Sequence, residues 1–504
     1  MLTPTRRRHR KTLDEPGLPQ WAVLAVLAVP AVFLGIHSGL PWWQRLLGAV
    51  PAVAAVAAGI SYFAHRKYPR LPFLEMALLQ LAVFWGSPVL TWSTSAHVNV
   101  TQHALTRALV GVIVVMGAMI ATYPVGKRIG LLVRDTVSRS LPADAGPGAH
   151  LLLWPWFLVC LPVAAGFASR LPWEVRHLVM VLGSYYPVIT LLAFRAHRSK
   201  DPNQLRLLLV CAGVLAVAGL FTGRAQFVIR PMLFTGVIYL VLWRRMPWRW
   251  VAALAMLIVL LQPAKLLYRQ IAWEGGERRS AQGVGVTMSR WGTAVSESWG
   301  GDVSSFRNLE VLAWRLNELS TIAATFELTP RVIPFDRGRM WRHIPAAPLP
   351  RFLYPDKPMY TRVFNDRFNV TFGLQTKEGA RYTTQAFPLA ADGYWNFGWA
   401  GVVFVGAFIG LLIGMFTTGI STTSWGMMAF GAATFVETQV HANLFAITNG
   451  IAQRFLGLAF LCWAFWLVSL GFGSRYRARQ GLPRPGKSWQ SPRAAQLSRG
   501  TRKE

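Results

Sequence analysis

Apolar runs near the ~20 residues needed to cross a bilayer recur along this chain, separated by short polar, basic turns. They predict spans at 21–39, 44–64, 72–92, 104–124, 150–168, 177–194, 206–222, 231–243, 250–264, 395–416, 426–446 and 454–472. One polar stretch interrupts them. Residues 265–390 hold 17 Lys/Arg and 11 Asp/Glu among many Pro, Gly and aromatic residues. Such a segment cannot sit in hydrocarbon, where every backbone polar group must be satisfied internally. The expected architecture is an all-α polytopic membrane protein of about 12 helices, with one large extracytoplasmic loop domain between spans 9 and 10. Its parts are a basic tail 1–20, spans 1–9 over 21–264, the loop domain 265–390, spans 10–12 over 391–472 and a basic tail 473–504.

Charge sets the expected orientation. When the sides alternate, 28 of the 52 Lys/Arg fall on the face that carries both tails. The excess of Lys/Arg in short loops marks the cytoplasmic side. Both termini and the 126–149 loop are therefore expected on the cytoplasmic side of a bacterial cytoplasmic membrane, and 265–390 outside. A net charge of +31 would suggest nucleic acid in a soluble chain. Here it clusters at span ends, so orientation and anionic lipid account for it and no nucleic acid is expected. Cys160, Cys211 and Cys462 all lie in apolar runs and read as free core thiols rather than a disulfide framework.

Seven arginines remain (Arg45, Arg107, Arg170, Arg176, Arg224, Arg230 and Arg454), and all fall at outer span ends. Snorkelling to headgroups explains single cases. As a group they suit a phosphate or diphosphate, which a guanidinium grips with two parallel bonds. Arg224 and Arg230 flank Gly223 in Thr222-Gly223-Arg224-Ala225-Gln226-Phe227-Val228-Ile229-Arg230-Pro231, and read either as an anion clamp or as anchors of an ordinary hairpin. In the loop domain, Pro350-Arg351-Phe352-Leu353-Tyr354-Pro355-Asp356-Lys357-Pro358 is stiffened by three prolines and displays Arg351 and Lys357, with Arg315, Arg339, Arg342, His343, Arg362 and Arg367 adding positive charge. Trp341, Tyr354 and Tyr360 read as sugar-stacking platforms or as small-core aromatics.

Two acidic constellations offer a general base. Asp392 opens Asp392-Gly393-Tyr394-Trp395-Asn396, where the chain returns to apolar sequence. It reads either as a base beside Asn396 or as a helix N-cap. Glu437 and His441 are four apart and share a helical face, as a catalytic or a structural polar pair. No Walker A loop, GxSxG, HExxH or paired CxxC occurs, and no cofactor or metal is expected.

The strings TGRAQFVIRPMLF, PRFLYPDKP and PLAADGYWNFGWAGVVFVGAFIG, in this order around a large outer loop, resemble the bacterial O-antigen and capsular polysaccharide polymerases (Wzy-type oligosaccharide repeat-unit polymerases). The resemblance covers mainly residues 205–416, with one departure: Asp392 stands where that family often has Glu. It implies glycosyl transfer outside the membrane, from an undecaprenyl-diphosphate-linked glycan to the next lipid-linked repeat unit. A flippase and a chain-length regulator would be partners. Asp392, His441 and Glu437 would be catalytic, with Arg224, Arg230, Arg315, Arg351, Lys357, Tyr394 and Asn396 holding diphosphate or sugar. An O-antigen ligase or other polyprenyl-linked glycosyltransferase stays open as the alternative, and a polysaccharide transporter or flippase as the third.

Overall fold

A computed structural model describes residues 20–36, 38–64, 71–95, 99–138, 152–167, 171, 179–180, 183–220, 225–245, 248–274, 284–300, 313–314, 316–346, 367–377, 387–420, 443–450 and 467. Every regular element among them is helical: α1 Gln20–Gly35, α2 Trp42–Ala64, α3 Phe73–Leu81, α4 Gln102–Ser138, α5 Leu153–Ala164, α6 Tyr186–Ser199, α7 Pro202–Leu220, α8 Ala225–Trp243, α9 Trp248–Glu274, α10 Val284–Gly300, α11 Leu319–Leu328, α12 Leu389–Gly419 and α13 Leu444–Gly450. After α3 the chain continues as a π-helical turn, Ala82–Gly86, and a 3-10 turn, Ser87–Thr91. Five stretches among the described residues are long and apolar enough to cross a membrane: Trp42–Ala64, Phe73–Thr91, Gln102–Arg134, Pro202–Leu220 and Leu389–Gly419. Most of the expected spans 426–446 and 454–472 lie outside the described residues.

Several predicted boundaries move. The helix expected over 104–124 runs on to Ser138, through Lys127 and Arg128. Those charges do not stop a helix, because Lys and Arg are good helix formers, and the Lys127 ammonium settles over the Tyr123 ring at 5.2 Å. Likewise α9 continues past Lys265 to Glu274. The span expected to begin at 395 starts as helix at Leu389 and breaks at Phe397–Gly398.

The centre of the bundle is the pair α4–α12. Gly406, Gly410 and Gly414 repeat every four residues on one face of α12, and a Cβ on them would run into the backbone of Val115, Met119 and Tyr123. Gly126 and Gly130 of α4 meet Leu411 and Met415 in the same way. With no side chains between them, the two backbones approach closely, as small residues allow in membrane helices. The Thr122 hydroxyl, which the proximity also permits, donates to the carbonyl of Ala407 at 2.9 Å. Contacts advance in the same sense on both helices, so α4 and α12 are parallel.

The polar stretch after α9 packs back onto this pair. Leu319, Ile322, Ala323, Phe326 and Ile333 join the same buried cluster as α3, α4 and α12. Glu318 docks on the irregular turn after α3: its N–H reaches the Phe84 carbonyl at 3.3 Å, and Trp85 donates through Nε1 to its carboxylate at 3.1 Å.

Candidate functional site at the broken helix

Phe397 (φ −141°, ψ 23°) and Gly398 (φ 60°, ψ −142°) interrupt α12. Gly398 supplies the positive φ that a side chain would resist. In a continuous helix Gly393 and Gly401 would stand ~12 Å apart. Instead a Cβ on Gly393 would come within 2.6 Å of the Gly401 carbonyl oxygen, so the short arm 389–396 folds back against the start of the long arm.

A broken helix leaves carbonyls without partners. Here Asp336 donates its N–H to the Trp395 carbonyl at 2.9 Å and Arg337 to that of Asn396 at 3.2 Å. Gly338 donates its own to the Asn396 side-chain Oδ1 at 3.1 Å. Three successive N–H groups can converge because Arg337 and Gly338 both have positive φ, 54° and 73°. The strip from Pro334 to Met340 thus seals the end of the short arm, and Trp395 Nε1 donates back to the Pro334 carbonyl at 3.3 Å.

Two buried carboxylates brace this arrangement. Asp336, 3% exposed, accepts from the Met340 N–H at 3.0 Å and pairs with Arg367 at 2.8 Å. Burial nonetheless pushes its pKa above the ordinary carboxylate value, against the opposing pull of Arg367, the Met340 N–H, Arg339 and Arg342. Asp392, fully buried, accepts from Trp341 Nε1 at 3.1 Å and Asn396 Nδ2 at 2.9 Å on one oxygen. Its other oxygen accepts from the Leu444 N–H at 2.9 Å. One side chain thereby joins the short arm, the 3-10 turn Trp341–Ala346 and the first residue of α13.

The N-cap reading of Asp392 is therefore corrected. Pro388, with extended backbone, occupies the cap position, and Asp392 lies four residues further on, inside the helix. Asn396 stands one turn away as expected, but its amide binds Asp392. Tyr394, 3% exposed, stacks on Phe326 with centroids 3.9 Å apart, and its hydroxyl accepts from Arg107. Arg107 also donates to the Phe326 carbonyl at 3.2 Å, and Arg45 donates to the carbonyls of Leu34 and Ile36 at 2.7 and 2.8 Å. Arg45 and Arg107 are thus engaged with helix ends and rings.

Around the clamp lies a basic rim. Arg337, Arg339 and Arg342 are exposed and Arg367 is half-buried. Arg342 Nε donates to His343 Nε2 at 3.3 Å, and burial followed by the Arg342 charge holds the imidazole below the usual histidine range. Arg230 lies half-buried on α8, a helix that packs chiefly against α6, α7 and α9. His441, Glu437, Arg224, Arg315, Arg351 and Lys357 lie outside the described residues. Among the described residues no three His, Cys, Asp or Glu side chains gather as a metal would need.

Sequence reasoning passed over Asp336, Glu318 and Trp85. For Asp336 a signal existed: Asp336-Arg337-Gly338 is a turn signature, with Gly at a position tolerant of positive φ. Glu318 and Trp85 are 233 residues apart and carry no local mark of their pairing.

A family model described as a domain of unknown function, DUF8712, matches residues 149–470. Asp336, Arg367 and Asp392 fall within it, while Trp85 and Arg107 precede it. No curated protein and no solved structure matches the chain.

Proposed function

We propose that this chain, which belongs to the DUF8712 family, polymerises undecaprenyl-diphosphate-linked oligosaccharide repeat units at the outer face of a bacterial cytoplasmic membrane. The observation that carries the reading is the rim of exposed Arg337, Arg339 and Arg342 beside Arg367, held by a braced break in α12. The leaving group of such a transfer is a lipid diphosphate, and preorganised guanidinium groups stabilise the charge that develops on it. Arg224, Arg230, Arg315, Arg351 and Lys357 would extend this basic surface.

Topology supports the same side for all of these. Parallel helices that both cross a bilayer need an odd number of crossings between them, and the twelve-span reading places five between α4 and α12. In that reading both termini and the end of α4 are cytoplasmic, and the 265–390 segment is outside.

In this reading Asp392 is a positioning residue. Its oxygens are enclosed by three donors, and through the Leu444 N–H it fixes the chain three residues beyond His441. The base that takes the acceptor hydroxyl proton is then His441, oriented by Glu437.

The test is elongation by purified full-length protein in proteoliposomes supplied with lipid-linked repeat units from the host. A ladder of lengthening glycans is expected, lost in the Arg337→Ala/Arg339→Ala/Arg342→Ala triple variant at unchanged melting temperature. A single transfer to a different acceptor would make the protein a ligase. Movement of the lipid-linked unit with no new glycosidic bond would make it a transporter.

A further inference from the structure

Helix α10 has three sides. Thr287, Trp291, Ala294 and Ser298 recur at three- and four-residue steps and are buried, forming a seam against the bundle. At 100° per residue, Met288 and Val295 lie together on the flank of that seam, and they are 45% and 41% exposed. The face turned away from the seam carries Ser289, Thr293, Ser296 and Glu297, all exposed. Val286 is a single exposed apolar residue on that polar side.

Two helices measure the height at which this element sits. The Trp291 ring stacks on Tyr268 of α9, with centroids 4.7 Å apart and planes 14° apart. Tyr268 is twenty positions beyond Trp248, the basic, aromatic start of α9, which amounts to ~30 Å of helix, the thickness of a bilayer core. Independently, Trp291 Nε1 donates to the carbonyl of Leu220 at 2.9 Å. Leu220 is the last residue of α7, whose 19 residues span ~28 Å. Both rulers put Trp291 at one boundary of the hydrocarbon, where an amphipathic ring with a satisfied N–H is favoured.

Helix α7, which Trp291 meets at its last residue, carries an open apolar side. Val210, Val214 and Val217 form an exposed stripe along α7 that rises towards Leu220, with Val217 54% exposed. A water-facing flank would show polar residues at Met288 and Val295, as the face turned away from the seam does.

We infer that α10 is an interfacial helix, lying in the membrane boundary with Met288 and Val295 dipped among lipid acyl chains and Ser289, Thr293, Ser296 and Glu297 turned to water. Its partner is the lipid surface itself. Trp291 pins the helix to the bundle, and the apolar flank anchors the start of the long polar segment at the membrane. The inference concerns the boundary nearest Leu220 and Tyr268, and it stands apart from glycosyl transfer.

The experiment is nitroxide accessibility in the full chain, reconstituted in phosphatidylethanolamine/phosphatidylglycerol nanodiscs. Single labels at Met288→Cys, Val295→Cys, Ser289→Cys and Ser296→Cys are placed in a Cys160→Ala/Cys211→Ala/Cys462→Ala background that keeps the wild-type melting temperature. Oxygen partitions into acyl chains and a neutral nickel chelate into water. The oxygen-to-nickel collision ratio is expected to be several-fold higher at 288 and 295 than at 289 and 296. Equal ratios at the four positions would place both flanks in water and overturn the proposal. Low collision with both agents at 288 and 295 would show that protein covers the flank, and would overturn it equally. Loss of glycan elongation with these ratios intact would strike the polymerase reading and leave this one standing.

Discussion

The seam between α4 and α12 and the clamp around the short arm of α12 are neighbours built on opposite principles. In the seam, specificity comes from what is missing. Five glycines remove side chains so that two backbones meet, and the order of contacts fixes direction and register. In the clamp, specificity comes from what is added, since carboxylates, an amide, an indole and backbone N–H groups tie segments from 334–341, 389–396 and 444. A bilayer gives helices no hydrophobic drive to associate, so close packing must hold the seam. The clamp needs buried polar bonds because a broken helix end must be satisfied wherever it lies. The first device makes a rigid post, and the second hangs a basic rim on it.

The seam breaks most easily. Gly410→Leu would force a side chain into the Met119 carbonyl and the Thr122 hydroxyl. The expected result is loss of folded, monodisperse protein in detergent. Gly410→Ala is expected to cost about 1–3 kcal/mol, the range for overpacked cores, read as a lowered melting temperature. A wild-type melt for the leucine variant would show that the two helices do not touch there.

The clamp should fail next. Asp392→Ala leaves the Trp341 indole N–H and the Leu444 N–H without their acceptor, while Asn396 Nδ2 keeps the backbone carbonyl of residue 392, at about 1–3 kcal/mol for each donor not rescued by water. Asp392→Asn keeps one carbonyl and is expected to lie between. If either variant melted like wild type yet lost elongation, Asp392 would act on substrate rather than on structure, reversing its assignment as a positioning residue.

What could be read in advance differs between the two regions for a physical reason. The seam is written locally: apolar spans, and glycines four apart in Gly406, Gly410 and Gly414, are visible in a single window. The parallel sense follows only from alternating all twelve spans, and the extension of α4 to Ser138 was not legible, since charges at Lys127 and Arg128 end a span without ending a helix. The clamp is written in pairs remote along the chain. Asp392 and Asn396 stood out because they are one turn apart, whereas the bonds from Trp341 and Leu444 appear only once the fold brings them there. The positive φ at Arg337 belongs to no residue-type rule at all.

A third perturbation sharpens the contrast, because it lies where the segment 316–346 docks on the irregular turn after α3. Trp85→Phe removes the indole donor to Glu318 while keeping an aromatic ring. A buried hydrogen bond to a charged group is worth about 1.5–3 kcal/mol, partly recovered here because the Glu318 main chain stays tied to Phe84. The melting temperature should fall, by less than in Asp392→Ala. A larger fall than in that variant would make this junction, rather than the Asp392 bonds, the principal tie between the segment 316–346 and the bundle.

The smallest effect is a pH dependence, and its sign is diagnostic. Burial raises the Asp336 carboxyl above its ordinary 3.8 despite Arg367, the Met340 N–H, Arg339 and Arg342. The folded state therefore holds a proton that the unfolded chain releases, so this group stabilises the fold at low pH. That contribution is lost as pH rises through the raised value. In Asp336→Asn the dependence disappears. The difference in melting temperature, wild type minus variant, should then grow as pH is lowered from neutral towards 3.8. His343 works in the opposite sense, since its lowered value means that protonation below the usual 6.5 opposes folding. It is present in both proteins and cancels from the difference to first order. A difference that shrinks on acidification would mean that the Arg367 pair outweighs desolvation. The clamp would then rest on an ion pair, as a water-exposed surface does, instead of on the buried, neutralisable carboxyl that its enclosure implies.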